Sequence, residues 1–402
     1  MRAQVRCKRA CASSPLRKVL ANVLAFLIAI VGFGIAVWVV VPGSSIITFA
    51  AAAAAPEAAP FLFLYNAIAL AIVIRIARGI SREITTAVLA IGLGFSCIPL
   101  LLLGPAIHAA NDELARATEH GAIATSERIG YNPLESFVPP NTTAIVRTRV
   151  QGAVIDAKTH ASLALDVYHA PQAGARPTVL VIYGGAWIFG DLLQTEALDR
   201  TIAASGYTVI ALDYRHAPTF RFPTQLGDIF GALRYIRANA PALGVDLNRV
   251  AILGRSAGGE LALIAGYHPG PIAFRAVIGY YAPTDLTQGW NDLPKPDPAN
   301  VRKILTAYLG TGPNLLPDAY RAASPSSYVA PNLPPTLLIG GVRDELVKIE
   351  FQRAFAAKLR AAGDTVAAIE IPWSNHAFDS LPTGLGGQIA VGAVRRFLAA
   401  YL

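Results

Sequence analysis

Three residue types that together can break an acyl bond occur along this chain in the order serine, aspartate, histidine. Ser256 lies in VAILGRSAGGELAL, where the apolar run Val250–Leu253 meets Gly254-Arg255-Ser256-Ala257-Gly258 and a second apolar run follows. Glycines on both sides of the serine permit a tight strand-to-helix turn that holds a nucleophile outward, and the helix amino terminus favours developing negative charge. The hydroxyl then needs a base, and the base needs a carboxylate to fix its tautomer and stabilise the imidazolium. His376, in Ser374-Asn375-His376-Ala377-Phe378, follows the apolar run Val366–Ile371. Asp344 follows Thr336–Ile339 by way of Gly340-Gly341-Val342-Arg343. All three therefore stand at the carboxyl ends of expected strands, where ligands bind in open α/β sheets.

Rivals exist for each role. His108, His120, His160 and His169 precede the expected sheet core and read as surface or stalk residues, while His216 and His268 flank turns and read as structural. For the acid, Glu345 is adjacent to Asp344, Asp379 lies three residues past His376, and Asp285 opens a Pro-rich region. An oxyanion needs backbone N–H groups aimed at it. Tyr183-Gly184-Gly185-Ala186-Trp187 leaves an apolar strand with two glycines, so Gly184, Gly185 or Ala186, together with Ala257, are the expected donors. No metal and no cofactor enters such chemistry. The cysteines are Cys7, Cys11 and Cys97, so no disulfide framework or cysteine-based metal site is expected beyond them.

The elements that must position these residues follow from hydrophobic patterning. Ala144–Val154 and Ser162–His169 suit two antiparallel opening strands. Thr178–Tyr183, Thr208–Asp213, Val250–Leu253, Ala276–Tyr281, Thr336–Ile339 and Val366–Ile371 are short apolar runs of the kind buried in parallel sheets. Helices are expected between and after them, notably Thr224–Ala240, Ala257–Tyr267, Val347–Ala362 and Gln388–Leu402. Alternation of this kind predicts an α/β domain over 144–402, a mostly parallel sheet with helices on both faces. The Pro-rich stretch Thr284–Val329 is expected to be a lid over the carboxyl edge.

The amino-terminal quarter is different. Of 402 residues 53% are hydrophobic and 15% charged, against a usual charged share of roughly 25%. Residues 1–107 carry nine Lys/Arg and two acidic residues, whereas 108–402 carry 25 and 24. A near-neutral remainder argues against a nucleic-acid partner. Val19–Val41 is uncharged and too long for a signal peptide's apolar region, so it reads as an uncleaved anchor. Further spans are expected over 58–74 and 87–107, then a polar helical stalk ending in a linker over 108–143. Basic residues precede the first span and lie between the second and third (Arg75, Arg78, Arg82), which with three spans puts both segments in the cytoplasm and the large domain outside; a second segment that only dips into the bilayer would put that domain in the cytoplasm. The expected location is the cell membrane, multi-pass.

From about Thr178 onward the chain resembles the α/β-hydrolase fold, and within it the hormone-sensitive-lipase-like, HGGxW-type carboxylesterases. The stretches YGGAWIFGD, LDYRHAPTFRFPTQLGD, NRVAILGRSAGGELA, ASPSSYVAPNLPPTLLIGGVRDELV and SNHAF carry the resemblance in the family's order. It implies ester hydrolysis with Ser256, Asp344 and His376 as triad and no cofactor, acting on a small-molecule or lipid ester. Two positions depart from the family: Tyr183 stands where a His is usual, and Arg255 where an acid is common. An amidase or peptidase using the same triad, and a silent hydrolase-like binding module, are the other readings.

Overall fold

The computed structural model describes residues 15–119, 128–155 and 162–402. His120, His160, Cys7, Cys11 and the basic residues Arg2, Arg6, Lys8 and Arg9 lie outside the described residues.

Eight strands form one sheet: β1 (Arg147–Ile155), β2 (Ser162–Tyr168), β3 (Arg176–Ile182), β4 (Thr208–Leu212), β5 (Val245–Arg255), β6 (Ala276–Tyr280), β7 (Thr336–Gly341) and β8 (Val366–Ile371). Their order is β1-β2-β4-β3-β5-β6-β7-β8. β2 runs antiparallel to both neighbours, and every other pairing is parallel. Each of the eight expected runs is a strand in this sheet. Side chains alternate between two apolar layers, because both faces are covered. Leu180, Ile182 and Ile252 pack with α6 (Thr224–Ala238), α7 (Ala257–Tyr267) and α11 (Ile349–Ala361). Val179, Val181 and Leu253 face α5 (Glu196–Ala204) and α12 (Leu385–Tyr401). Three short helices, α8 (Leu286–Asn291), α9 (Val301–Leu309) and α10 (Pro317–Ala322), fill the expected lid region.

The amino-terminal quarter comprises α1 (Pro15–Ala36), a 3-10 turn at Val37–Val39, α2 (Ile46–Glu57), α3 (Ala59–Ile76) and α4 (Gly79–Thr118). Three of these stretches, Pro15–Val39, Ala59–Ile76 and Gly79–Thr118, are long and apolar enough to cross a membrane. α2 is a separate short helix, started by a capping box in which the Ser45 hydroxyl accepts from the Thr48 N–H and the Thr48 hydroxyl from the Ser45 N–H. At one end of the bundle the Arg78 N–H donates to the Asn22 side chain at 2.9 Å. At the other end the turn and α2 meet the sheet domain.

The third apolar stretch and the helical stretch expected after it form one element, α4. It continues without interruption through Pro99 and Pro105 and on to Thr118. The reason is a stripe of mostly small residues, Ala106, Ala110, Leu114 and Ala117, at helical spacing. These residues pack into the same apolar layer as α12 and β8, so the second half of α4 is part of the domain's outer cover. Glu113 fixes it further, accepting from the Ala368 N–H in β8 at 3.0 Å and pairing with Arg360.

Candidate active site

Ser256 sits between β5 and α7 with φ 53° and ψ −121°, a strained conformation for a residue with a side chain. The turn is possible because of its glycines. A Cβ on Gly254 would run into the Gly258 carbonyl, and one on Gly258 into the carbonyls of Ile182 and Tyr183. The Ser256 N–H donates to the Tyr280 carbonyl at 2.9 Å, which ties the turn to β6.

The structure brings the three sequence-predicted residues together. His376 Nε2 lies 2.8 Å from Ser256 Oγ, and His376 Nδ1 lies 2.7 Å from Asp344 Oδ2. The other Asp344 oxygen accepts the N–H groups of Leu346 and Val347 at 2.8 and 2.7 Å, so the carboxylate cannot rotate freely. His376 is 4% exposed and Asp344 8%. Asn375, which the sequence reading passed over, holds the two loops in register: its side-chain oxygen accepts from Glu345 N–H at 2.9 Å and His376 N–H at 2.7 Å. The Tyr281 ring covers the imidazole, with centroids 4.4 Å apart.

The rivals have other partners. Asp285 caps α8 by accepting from the Gln288 N–H at 2.9 Å. Glu345 accepts from the Gly43 N–H. Asp379 forms a buried ion pair with Arg255 at 2.7 Å and also accepts from the Tyr281 hydroxyl. The charge that Arg255 places beside the nucleophile is thereby neutralised. Burial pulls its guanidinium down, but Asp379 and Tyr281 outweigh this and hold it above the ordinary arginine value. The ring nitrogens of His169 and His268 lie against Thr148 and Pro269, and His108 faces Asp112 on an exposed helix surface.

The glycine loop after β3 lies against the serine. A Cβ on Gly184 would come within 3.2 Å of the Ser256 Cβ, while Gly185, Ala186 and Trp187 all have positive φ (121°, 53° and 60°). Among the described residues, the N–H groups of Gly185, Ala186 and Ala257 have no protein acceptor. Tyr183 braces this loop. Its hydroxyl donates to Asp213 at 2.7 Å and lies 3.0 Å from His216 Nε2, and its ring stacks on Tyr214 at 4.5 Å. With the hydroxyl proton given to Asp213, His216 must donate from Nε2. Burial pushes the Tyr183 phenol up and His216 down, keeping both neutral. Trp187 stacks on Tyr308 of α9 at 4.1 Å and donates to Glu260, a fully buried carboxyl that burial pushes well up.

Beside the serine and histidine lies a small cavity of about 70 Å³, open to solvent and walled largely by apolar groups, among them Trp187, Leu286, Ile304, Leu305, Val347 and Phe351. Residues of α8 and α9 contribute to its wall.

A serine elbow after β5 of a mostly parallel sheet, with the acid after β7 and the histidine after β8, defines an α/β-hydrolase. A family model described as BD-FAE matches residues 165–359. Esterase LipC of Mycobacterium tuberculosis is 30% identical over 301 residues, which are 70% of this chain and 73% of LipC. LipM of the same organism, named a probable carboxylic ester hydrolase, is 29% identical over 256 residues, and the chain spans 57% of its length. The Pyrobaculum calidifontis esterase superposes over 74% of this chain and 92% of its own, with a TM-score of 0.54 and 22% identity. Carboxylesterase EstE1 from a metagenomic library covers 75% and 97%, at 0.53 and 23%. The chain belongs to the α/β-hydrolase carboxylesterases, and it is a carboxylic ester hydrolase.

Proposed function

We propose that this protein is a membrane-anchored serine esterase that cleaves esters through an acyl-enzyme. The observation that carries this reading is the relay Ser256–His376–Asp344, two hydrogen bonds of 2.8 and 2.7 Å in series. His376 takes the serine proton as the hydroxyl attacks the ester carbonyl, and Asp344 stabilises the resulting imidazolium. The oxyanion is received by N–H groups of Ala257 and of the loop Gly184-Gly185-Ala186. His376 then returns the proton to the leaving alcohol, and a water activated by the same imidazole releases the acid. The apolar cavity fits an acyl chain better than a charged or sugar-like group. Tyr183, although it replaces the usual His, keeps a brace on the oxyanion loop through Asp213 and His216, which favours an active site over a silent one.

The three apolar helices are read as spans, with the amino terminus and Arg75–Arg82 in the cytoplasm and the hydrolase domain outside. The substrate is then a small-molecule or lipid ester met at the outer face. Full-length protein in detergent, given a chromogenic short-chain ester and a fluorophosphonate probe, tests the chemistry. Turnover and labelling are expected for the parent and neither for Ser256→Ala. Labelling that survives the substitution would refute the assignment, and faster cleavage of a matched amide would make the protein an amidase.

A further inference from the structure

The segment joining the first two apolar helices reaches into the loops that carry two of the three triad residues. The Arg343 guanidinium, adjacent to Asp344, donates to the carbonyls of Val39 and Val40, the latter at 2.8 Å. On the other side of Asp344, both Glu345 oxygens accept from the Gly43 N–H at 3.1 Å. Glu57, the last residue of α2, accepts from the hydroxyl of Ser374, two residues before His376, and from the Gly386 N–H. The loops are also joined to each other, since the Arg343 N–H donates to the Ser374 carbonyl at 3.0 Å.

From this juxtaposition we propose that residues 39–57 are a positioning element of the active site: they clasp the Asp344 and His376 loops, and ester cleavage depends on that clasp. The inference rests on the triad reading above. A passive tether would need only an exposed linker. Instead Glu57 is 1% exposed, at a place where an unpartnered carboxyl is costly. The receiving surface is shaped for it, because a Cβ on Gly386 would sit 2.9 Å from both Glu57 oxygens. Burial pushes this carboxyl up to about 7 against the opposing hydrogen bonds from Ser374, Gly386 and Gly387. Loop placement matters strongly here, since a shift of about 1 Å in a relay of this kind costs roughly 10²-fold in rate.

The test uses the full chain in detergent with a soluble chromogenic ester, so that access to a bilayer plays no part. Glu57→Ala and Ser374→Ala cut the same contact from opposite ends. Each is expected to lower kcat by about tenfold or more with KM within about twofold, to slow fluorophosphonate labelling in parallel, and to combine without adding. Glu57→Gln, which keeps an acceptor, should retain at least about a third of kcat. Asn22→Ala, at the far end of the bundle, should leave kcat unchanged. If Glu57→Ala fails to fold, Ser374→Ala, which removes one hydroxyl, decides the matter. A folded Ser374→Ala or Glu57→Ala protein with kcat within about twofold of the parent would overturn the clasp's role. Turnover surviving in Ser256→Ala would instead remove the catalytic reading, and this inference with it.

Discussion

Replacing Asp344 by Asn changes almost no volume, yet the surroundings of this residue dictate a large effect. Oδ1 accepts two backbone N–H groups, from Leu346 and Val347, and Oδ2 accepts the imidazole Nδ1–H. An asparagine has one acceptor and one donor end, so it must choose. With its oxygen toward the two amides, its NH₂ faces His376 Nδ1, which must then accept. The ring proton moves to Nε2, and the lone pair that should take the Ser256 proton is gone. The opposite orientation keeps the productive tautomer but leaves two buried donors facing the NH₂, at about 1–3 kcal/mol each. The productive arrangement is therefore disfavoured by about 2–6 kcal/mol, and the carboxylate charge that stabilises the imidazolium is lost as well. Together these predict a fall in kcat of roughly 10³–10⁴, or about 4–5.5 kcal/mol of barrier. Steady-state hydrolysis of a chromogenic ester by purified Asp344→Asn, with a melting curve to confirm folding, measures it. A folded variant that loses less than about tenfold would show that the amide does not impose the wrong tautomer, and the relay as drawn would be wrong.

Asp379→Ala strands the Arg255 guanidinium in a buried site and should cost about 3–5 kcal/mol of stability by chemical denaturation; a loss under about 1 kcal/mol would mean that the guanidinium finds water or another partner. Gly258→Ala drives a methyl into the Ile182 and Tyr183 carbonyls, so fluorophosphonate labelling of Ser256 should disappear, whereas unchanged labelling would show that the elbow needs no glycine there. Glu57 titrates near 7 when folded and near 4.5 as a free side chain, so its folded pKa is raised. The folded state then holds the proton longer, and the stability this confers, about 3 kcal/mol, is present below about pH 4.5 and lost as pH rises through 7. Denaturation at pH 5 and pH 8 should show this decline in the parent and a flatter dependence in Glu57→Gln; equal slopes would contradict the assigned shift.

The sheet was legible because most strands are compact apolar runs closed by glycine, proline or a polar residue, and period and punctuation are local signals. Asp344 and His376 could be chosen because chain order and strand ends restrict where a relay can form. Other features depend on partners far along the chain, and no local signal marks them. Arg255 looked like a charge left beside the nucleophile until Asp379, 124 residues away, was found against it. Glu57 is one of the two acids in residues 1–107 and nothing near it marks a role, yet its partner Ser374 lies 317 residues on. The packing of the helical stretch after residue 107 was hidden for a related reason. Ala106, Ala110, Leu114 and Ala117 form a narrow stripe among polar neighbours, and its partner surface exists only once the sheet is assembled. Asn375 lay inside a recognised stretch, and only its two backbone contacts reveal its use.

α4 is 40 residues long, about 60 Å along its path, roughly twice the thickness of a hydrocarbon core. If its apolar half spans lipid as proposed, one continuous helix both crosses the bilayer and forms a wall of the hydrolase, so the catalytic body would stand on a fixed mast and not swing on a leash. Its mouth would then keep one height and one bearing relative to the lipid surface. On that proposal the enzyme would draw its esters from a thin shell next to the membrane.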